Sequence, residues 1–286
     1  FTPHVVTASD DNGDGLLTGY YEPILKGSPT RSERYQIPLL RRPTDLESVI
    51  DDSLRASAGE TLTHARRTSE GLIPYPTRQQ IEQGCLDHEN LALLYLEDPV
   101  DAFFLHVQGS GIIEFDDGRR IRVGYAAKNG HPYTSIGQAL IADGVISARD
   151  MSLPTLAIWL RADVERGRRV MWRNHSYIFF KELGDAASSA TQGVHGIALT
   201  AGRSIAVDAS IHAVGLPFFV TADKLPGSTG ATQRLMVAQD VGSAIRGAAR
   251  ADIFYGSGAE AGALAGQTKH RGTLYALLPR IGAQTP

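Results

Sequence analysis

The run Ser204-Ile205-Ala206-Val207-Asp208 is a short apolar strand candidate that ends in a carboxylate. Two later segments share this character, since Asp240 follows the apolar residues 235–238 and Asp252 precedes residues 253–255. A carboxylate beside an apolar run is costly unless it is hydrogen-bonded, caps a turn or acts chemically. One such aspartate is typical of a turn cap. Three in one C-terminal segment favour a chemical role, because converging carboxylates would raise one pKa.

Short runs of strand character extend in both directions from this segment. The chain has 30 glycines and 14 prolines that interrupt short runs, which favours a mainly β protein over a helical bundle. A small polar stretch over residues 184–193 predicts a crossing between domains. Predicted strands cover residues 16–22, 102–107, 170–180, 204–207, 217–222, 235–238, 253–255 and 274–278, with a hairpin over 112–125. Predicted helices cover residues 44–50, 77–81, 134–143 and 153–166.

Composition excludes several classes of protein. The 286 residues are 42% apolar with a formal net charge of −3, so a sizeable core is expected and a basic nucleic-acid-binding surface is not. The single cysteine, Cys85, rules out a disulfide within the chain and a multi-cysteine zinc site. We interpret Cys85 as a small buried apolar residue. No stretch has the ~20 apolar residues that cross a bilayer.

Recognised ligand motifs are absent or incomplete. Residues 10–15 match the opening of a calcium loop, but position 21 is Tyr instead of the required Glu, so a hairpin turn is favoured. Phosphate loops, zinc-spaced histidines and a nucleophile elbow are not found. Asp240-Val241-Gly242 resembles one aspartic-protease loop, but the middle hydroxyl and the second loop are missing. No metal and no organic cofactor are expected.

Two segments combine tyrosines with polar residues in a way that suits sugars. They are residues 19–23 and residues 124–133. Tyrosine rings stack on pyranose faces while amides and lysine bind hydroxyls. A core role for these aromatics is equally compatible with the residues alone.

The ordered set of motifs resembles the MltA family of lytic murein transglycosylases. Each motif is weak alone, and the set covers nearly the whole chain in the family's order. The motifs are Gly19-Tyr20-Tyr21-Glu22-Pro23, Val107-Gln108-Gly109-Ser110-Gly111, residues 125–131, residues 135–137, residues 174–180, Val207-Asp208, residues 238–247, residues 251–256 and residues 274–278.

This resemblance implies a mainly β, two-domain fold with a groove between the domains. Residues 1–22 and 188–286 would form a double-psi β-barrel catalytic domain. Residues 23–187 would form a smaller inserted β domain that binds substrate.

The resemblance also assigns site residues. Asp252 falls on the catalytic acid, and Asp240 and Asp208 fall on the accompanying aspartates. The implied substrate-binding residues are Tyr20, Tyr21, Gln108, Gly109, Ser110, Tyr125, Lys128 and Asn129. The chain departs from the family pattern at Ser243, Arg246 and Ala209, and Ala209 removes an arginine expected beside Asp208.

The expected partner is the peptidoglycan glycan strand, with no nucleic acid. The resemblance implies a monomer at the periplasmic face of the outer membrane in a Gram-negative cell. Membrane contact would come only through a lipid anchor on an N-terminal region that this chain lacks. Cell-wall synthesis proteins are further expected partners.

The implied reaction uses one aspartic acid. Protonated Asp252 would cleave the bond between N-acetylmuramic acid and N-acetylglucosamine, and then accept a proton as a 1,6-anhydro ring closes. Two alternatives stay open at this point: a hydrolase that uses Asp252 and Asp240 as acid and base, and a non-catalytic glycan-binding module. A cytosolic metabolic enzyme with a small closed pocket is a more distant third.

Overall fold

The computed structural model describes residues 1–8, 15–48, 62–186, 190–242 and 244–280. The chain divides into two compact units, one made of Phe1–Pro23 with Ala190–Pro286 and the other of Ile24–Ser189. In the described residues, no helix is both long enough and apolar enough to cross a membrane. The proposed calcium-loop turn, apart from Gly15, and position 243 lie outside the described residues.

The first unit is built on a closed barrel of six strands within the described residues. Around the barrel the order is β16-β13-β14-β12-β15-β2, and β2 closes it by pairing with β16. Strand β1 extends the sheet along β16. The strands are β1 (Thr2–Val6), β2 (Gly15–Glu22), β12 (Ser204–Val207), β13 (Pro217–Ala222), β14 (Thr232–Val241), β15 (Arg250–Ser257) and β16 (Lys269–Leu278).

Alternate residues of these strands fill the barrel. Leu17, Ile205, Phe218 and Ile253 are almost fully buried in one apolar cluster. Because successive strand residues point to opposite faces, their sequence neighbours lie on the outer face of the barrel. This alternation therefore determines which aspartate side chains point to the outer face of the barrel.

A helix of the first unit packs closely on strand β2. Helix α6 (Gly258–Gln267) approaches so near that a Cβ at Gly19 would lie 2.7 Å from the Cα of Ala265. Only glycine fits this contact. Gly19 thus lets the helix lie directly on the strand that carries Thr18 and Tyr20.

The inserted unit has two sheets and a helical layer. One sheet has the order β11-β10-β9-β3-β8-β4, and the second has the order β5-β6-β7. Its helices are α1 (Arg78–Glu82), α2 (Pro99–Gln108), α3 (Ile136–Ala142), α4 (Leu153–Arg161) and α5 (Val164–Met171). Its strands are β3 (Ile24–Ser28), β4 (Ile37–Leu40), β5 (Leu46–Ser48), β6 (His64–Thr68), β7 (Gly71–Pro74), β8 (Ala92–Leu96), β9 (Ser110–Glu114), β10 (Arg120–Lys128) and β11 (Ile178–Asp185).

The mainly β, two-domain prediction is confirmed, with corrections. The inserted unit is the longer of the two, not the smaller, because it holds several separate apolar clusters under two sheets and a helical layer. The strand predicted over residues 102–107 is wrong: this run belongs to helix α2, which Asp98 caps by accepting from the backbone N–H of Val100.

Four smaller predictions also need correction. The strand predicted over residues 170–180 begins only at Ile178, because Val164–Met171 form helix α5. The helix predicted over residues 44–50 is wrong in its described part, since Leu46–Ser48 form strand β5 paired with β6, and residues 49–50 lie outside the described residues. The helix predicted over 153–166 is split into α4 and α5, where Asp163 caps the second helix. Cys85 is exposed instead of buried, because the adjacent Leu86 occupies the core.

Candidate active site

Three adjacent strands bring two of the predicted aspartates to one level of the barrel. Asp252 on β15 is the register partner of Ala206 on β12, and Asp240 on β14 is the partner of the same residue on the other side. Register partners point to the same face of a sheet. Ile205 and Ile253, their neighbours along the chain, lie inside the barrel. Asp252 therefore projects from the outer face.

The Asp252 carboxyl has the properties of a proton donor near neutral pH. Burial raises its pKa from 3.8 to about 6, and the negative charge of Asp240 adds to this effect. The hydrogen bond from Thr18 and the charge of Arg250 act in the opposite direction. The Thr18 hydroxyl donates to Oδ1 of Asp252 over 2.5 Å. A carboxyl with such a pKa is suited to general acid and base chemistry.

Thr18 and Arg250 were not predicted from the sequence. Thr18 lies beside Asp252 across the parallel pair β2–β15. Nη1 of Arg250 donates to the Thr18 hydroxyl over 3.0 Å. Burial lowers the pKa of the Arg250 guanidinium. The only sequence signal was the polar residue two positions before Asp252, which would share its face of the strand.

Tyr20, which lies on strand β2 with Thr18, binds the second aspartate, Asp240. It lies two residues after Thr18, and its hydroxyl donates to Oδ2 of Asp240 over 2.9 Å. The backbone N–H of Val241 donates to Oδ1 of Asp240. Burial raises the pKa of Asp240, and these hydrogen bonds oppose the rise. The ring of Tyr20 packs against Phe254 at a centroid distance of 5.3 Å.

Asp208 has a different environment from the other two aspartates. Its carboxylate accepts from the hydroxyl and N–H of Ser210 and from the N–H of Gly247. Together with Arg246, whose Nη1 lies 3.7 Å away, these donors lower the Asp208 pKa to about 2. In the described part of the chain, its hydrogen bonds go to these loop groups and not to Asp240 or Asp252. Asp208 thus ties two loops together as an anion.

Two of the departures from the family pattern, Ala209 and Arg246, affect the charge around Asp208. Ala209 gives Asp208 no cationic neighbour in sequence, but Arg246 supplies a cation from the loop after β14. The guanidinium is mostly exposed, so its contribution to stability is small. The hydrogen bonds from Ser210 and Gly247 are the stronger contacts.

Tyr21 points away from Tyr20, as strand alternation requires. Its ring lies against Gly262 of helix α6, where an added Cβ would come within 2.8 Å of the ring. Glu22 is fully buried and accepts from Thr191 and Ser257. Tyr21 therefore holds helix α6 against strand β2, and Glu22 holds Thr191 and Ser257 to the end of the same strand.

The predicted Gln108-Gly109-Ser110 segment joins helix α2 to strand β9 in the inserted unit. Gly109 ends the helix with a φ of 81°, a left-handed conformation that favours glycine. A Cβ at this position would meet no atom within 4 Å. The backbone conformation, not a close approach by another group, accounts for the glycine.

The remaining three predicted residues differ in their exposure. Tyr125 and Lys128 lie on strand β10, and Asn129 follows it. The Tyr125 side chain is 47% exposed, and Lys128 at the strand end is partly buried. Asn129 is fully buried: its amide donates to the carbonyls of Pro76 and His175 and accepts from the N–H of Tyr177. These backbone partners occupy the Asn129 amide, which is a structural clamp in this geometry.

Lys128 belongs to a group of basic side chains. It acts together with Arg42 on His64, and burial with these two charges lowers the His64 pKa to about 4. The Arg42 charge also reaches the exposed Tyr125. Within the described ranges, no three His, Cys, Asp or Glu side chains form a metal-binding group.

Comparison with known proteins matches both units. The model of the MltA specific insert domain matches residues 16–181, and that of the 3D domain matches residues 203–278. The membrane-bound lytic murein transglycosylase A of Escherichia coli K12 is 33% identical over 281 residues, which are 96% of this chain and 68% of that protein.

Solved structures give the same result. A membrane-bound lytic murein transglycosylase from Agrobacterium tumefaciens has a TM-score of 0.85 at 39% identity, over 93% of this chain and 74% of that one. E. coli MltA with bound chitohexaose has a TM-score of 0.75 at 31% identity, over 94% and 73% of the two chains. The chain therefore belongs to the MltA family of membrane-bound lytic murein transglycosylases.

Proposed function

We propose that this chain cleaves the β-1,4 bond between N-acetylmuramic acid and N-acetylglucosamine in peptidoglycan and leaves a 1,6-anhydromuramic acid end. Asp252 is the single acid and base. The observation that carries the proposal is the Asp252 carboxyl, whose pKa burial raises to about 6 while Thr18 holds one of its oxygens.

The reaction begins with proton donation. Protonated Asp252 gives its proton to the glycosidic oxygen, and the bond from that oxygen to C1 of the muramoyl ring breaks. The glucosamine leaves with a free hydroxyl at C4. Ionised Asp252 then takes the proton from the C6 hydroxyl of the muramoyl residue. The C6 oxygen bonds to C1 and closes the anhydro ring, so Asp252 returns to its protonated form and no water is consumed.

Asp240 supports the positive charge that develops at C1. Its carboxylate is held by Tyr20 and by the N–H of Val241, and both bonds favour the ionised form. Preorganised charge of this kind stabilises a transition state without rearrangement during the reaction. Asp208, with its pKa lowered to about 2, holds the loops and transfers no proton.

The division of roles follows the two units. We assign catalysis to residues 1–22 and 188–286 and glycan binding to residues 23–187. Tyr125 is the exposed ring in the insert that suits a sugar face, and Lys128 suits the lactyl carboxylate of muramic acid in glycan strands that carry no stem peptide. Gln108 and Ser110 are further contacts, whereas the Asn129 side chain holds the backbone at Pro76, His175 and Tyr177.

The cellular setting is also proposed. The relatives' names describe membrane-bound murein enzymes, and we place this chain at the periplasmic face of the outer membrane, held by a lipid anchor. We expect it to act as a monomer and to meet cell-wall synthesis proteins at its substrate.

Product analysis tests the reaction. Purified sacculi are digested with the protein, and the released muropeptides are analysed by mass spectrometry. A lytic transglycosylase releases muropeptides that lack the mass of one water compared with the hydrolysis products of a muramidase on the same sacculi. Products with the full water mass would establish a hydrolase instead and would overturn the proposed reaction. Sedimentation with sacculi without release would establish a binding module.

A further inference from the structure

Thr18 lies between the guanidinium of Arg250 and the carboxyl of Asp252. Nη1 of Arg250 is 3.0 Å from Oγ1 of Thr18, and that oxygen is 2.5 Å from Oδ1 of Asp252. A guanidinium carries donors and no acceptor. The Thr18 oxygen must therefore accept from Arg250, and its single hydrogen is left for Asp252. The direction of both hydrogen bonds is fixed.

The backbone of both neighbouring strands holds the guanidinium in place. Nη1 of Arg250 also lies 3.1 Å from the carbonyl oxygen of Leu16 on β2 and 3.4 Å from that of Ala251 on β15. These contacts come from the same parallel strand pair that places Thr18 beside Asp252. The donor, the hydroxyl and the carboxyl are thus positioned by one pair of strands.

A carboxylic acid has one O–H, and its position decides which oxygen can donate. We propose that Arg250 and Thr18 are positioning residues that keep Oδ1 of Asp252 as a hydrogen-bond acceptor and leave Oδ2 to carry the catalytic proton. This inference rests on the proposed role of Asp252 as acid and base. The same Oδ2 then gives the proton to the glycosidic oxygen and receives the next one from the C6 hydroxyl.

Thr18 and Arg250 lower the pKa of Asp252, whereas burial and the charge of Asp240 raise it. Asp240 raises the pKa of Asp252, and burial does so more strongly. Asp252 in turn raises the pKa values of Tyr20 and Tyr255, which therefore sense its charge. Thr18 and Arg250 favour the ionised form. Without them Asp252 would hold its proton too tightly to return to the anionic state quickly.

Titration of the Asp252 carboxyl tests the inference without reference to activity. The probe is the carboxyl ¹³C signal of Asp252 in labelled protein, assigned by its loss in Asp252→Asn. We expect Thr18→Val, which keeps the side-chain shape, to raise the Asp252 midpoint by about one pH unit, because it removes a hydrogen bond to the charged form. Thr18→Ser restores the hydroxyl and should keep the wild-type midpoint within about 0.3 unit, since its donor is unchanged.

Arg250→Met gives a second variant should Thr18→Val fail to fold. It removes the donor that orients the hydroxyl, so the Asp252 midpoint should again rise. An unchanged midpoint in Thr18→Val, or in Arg250→Met where Thr18→Val does not fold, would overturn the inference. Equal shifts in Thr18→Val and Thr18→Ser would also overturn it, because packing instead of the hydroxyl would then be responsible.

Kinetics on soluble glycan strands separate this inference from the proposed function. The alkaline limb of kcat/KM, which reports the free protein, should move by the same amount as the ¹³C midpoint in Thr18→Val, and the plateau should fall at least about tenfold because proton donation loses its orientation. A purely structural role would lower the plateau and leave the limb in place. The wild-type protein could release hydrolysis products while the variants still show the expected changes in the Asp252 ¹³C midpoint. In that case the positioning inference would stand and the proposed reaction would fail.

Discussion

Asp240 and Asp252 share one register partner, Ala206, and lie on the two strands that flank it. Two strand spacings separate their backbones, which is about 10 Å. Only a methyl group projects between them on this face of the barrel. The arrangement lets the charge of Asp240 raise the Asp252 pKa while each carboxyl keeps its own hydrogen-bond partners.

Asp252 should destabilise the folded protein at alkaline pH. Its folded pKa of about 6 is above the ordinary value of 3.8, so its contribution to stability is fully present below about pH 4 and is lost as the pH rises through about 6. At pH 8, Asp252→Asn should raise the free energy of unfolding by up to about 3 kcal/mol. At pH 4 the variant and the wild type should unfold alike in urea. A variant that is less stable than wild type at pH 8 would contradict the buried, raised-pKa carboxyl.

Tyr20→Phe should weaken catalysis through Asp240. The change removes the hydrogen bond to Oδ2 of Asp240 and leaves the ring against Phe254. Because a hydrogen bond to a charged group contributes about 1.5–3 kcal/mol, kcat should fall about tenfold or more, with little change in KM. Tyr275→Phe, on another strand of the same barrel, is the matched control. Full activity of Tyr20→Phe would remove Asp240 from the proposed charge stabilisation.

Asp208→Ala should affect stability and not proton transfer. The change removes the acceptor for Ser210 and Gly247, so the free energy of unfolding should fall by about 2–3 kcal/mol. The wild-type contribution is present above about pH 4 and is lost as the pH falls through about 2, because the folded pKa is lowered. The alkaline limb of the pH–rate profile should not move. A shift of that limb in Asp208→Ala would show that Asp208 acts on the catalytic carboxyl.

Lys128→Gln should reduce binding of muramic-acid glycans more than binding of neutral ones. The proposed contact is ionic, so the dissociation constant for glycan strands freed of their stem peptides, which expose the lactyl carboxylate, should rise about fivefold, and that for chitohexaose should change less than twofold. The His64 pKa should rise at the same time, because Lys128 is one of the charges that lowers it. Lys181→Gln, an exposed lysine on β11 of the same unit, is the control. Equal weakening for both glycans would contradict a carboxylate contact.

Barrel strands could be predicted from the sequence where a short apolar run, visible within a few residues, marks the strand. Residues 204–207 and 217–222 were predicted with the bounds that the structure has. Leu46–Ser48 was predicted as helix because its pairing with β6 is formed by residues distant in sequence. Helix α2 was predicted as a strand because its apolar run hid the Asp98-Pro99 start, a signal that the sequence does contain.

The candidate site was predictable only in part. Asp252 and Asp240 were identified by their apolar surroundings and by the family resemblance, but nothing in the sequence shows that both pair with Ala206. Thr18 was missed because it is 234 residues from Asp252 along the chain, and a hydroxyl within a strand has no distinctive local pattern. Asn129 has a suitable side chain for sugars, and only the structure shows that backbone groups occupy it.

Turnover of purified sacculi by Asp252→Asn tests the central claim most directly. Loss of a general acid typically costs about 10²–10⁴ in rate, so release of soluble muropeptides should fall by at least about 100-fold. The same preparation should still sediment with sacculi, which shows that it is folded and binds glycan. Release within about twofold of the wild-type rate would contradict the account, because no proton could then pass through Asp252.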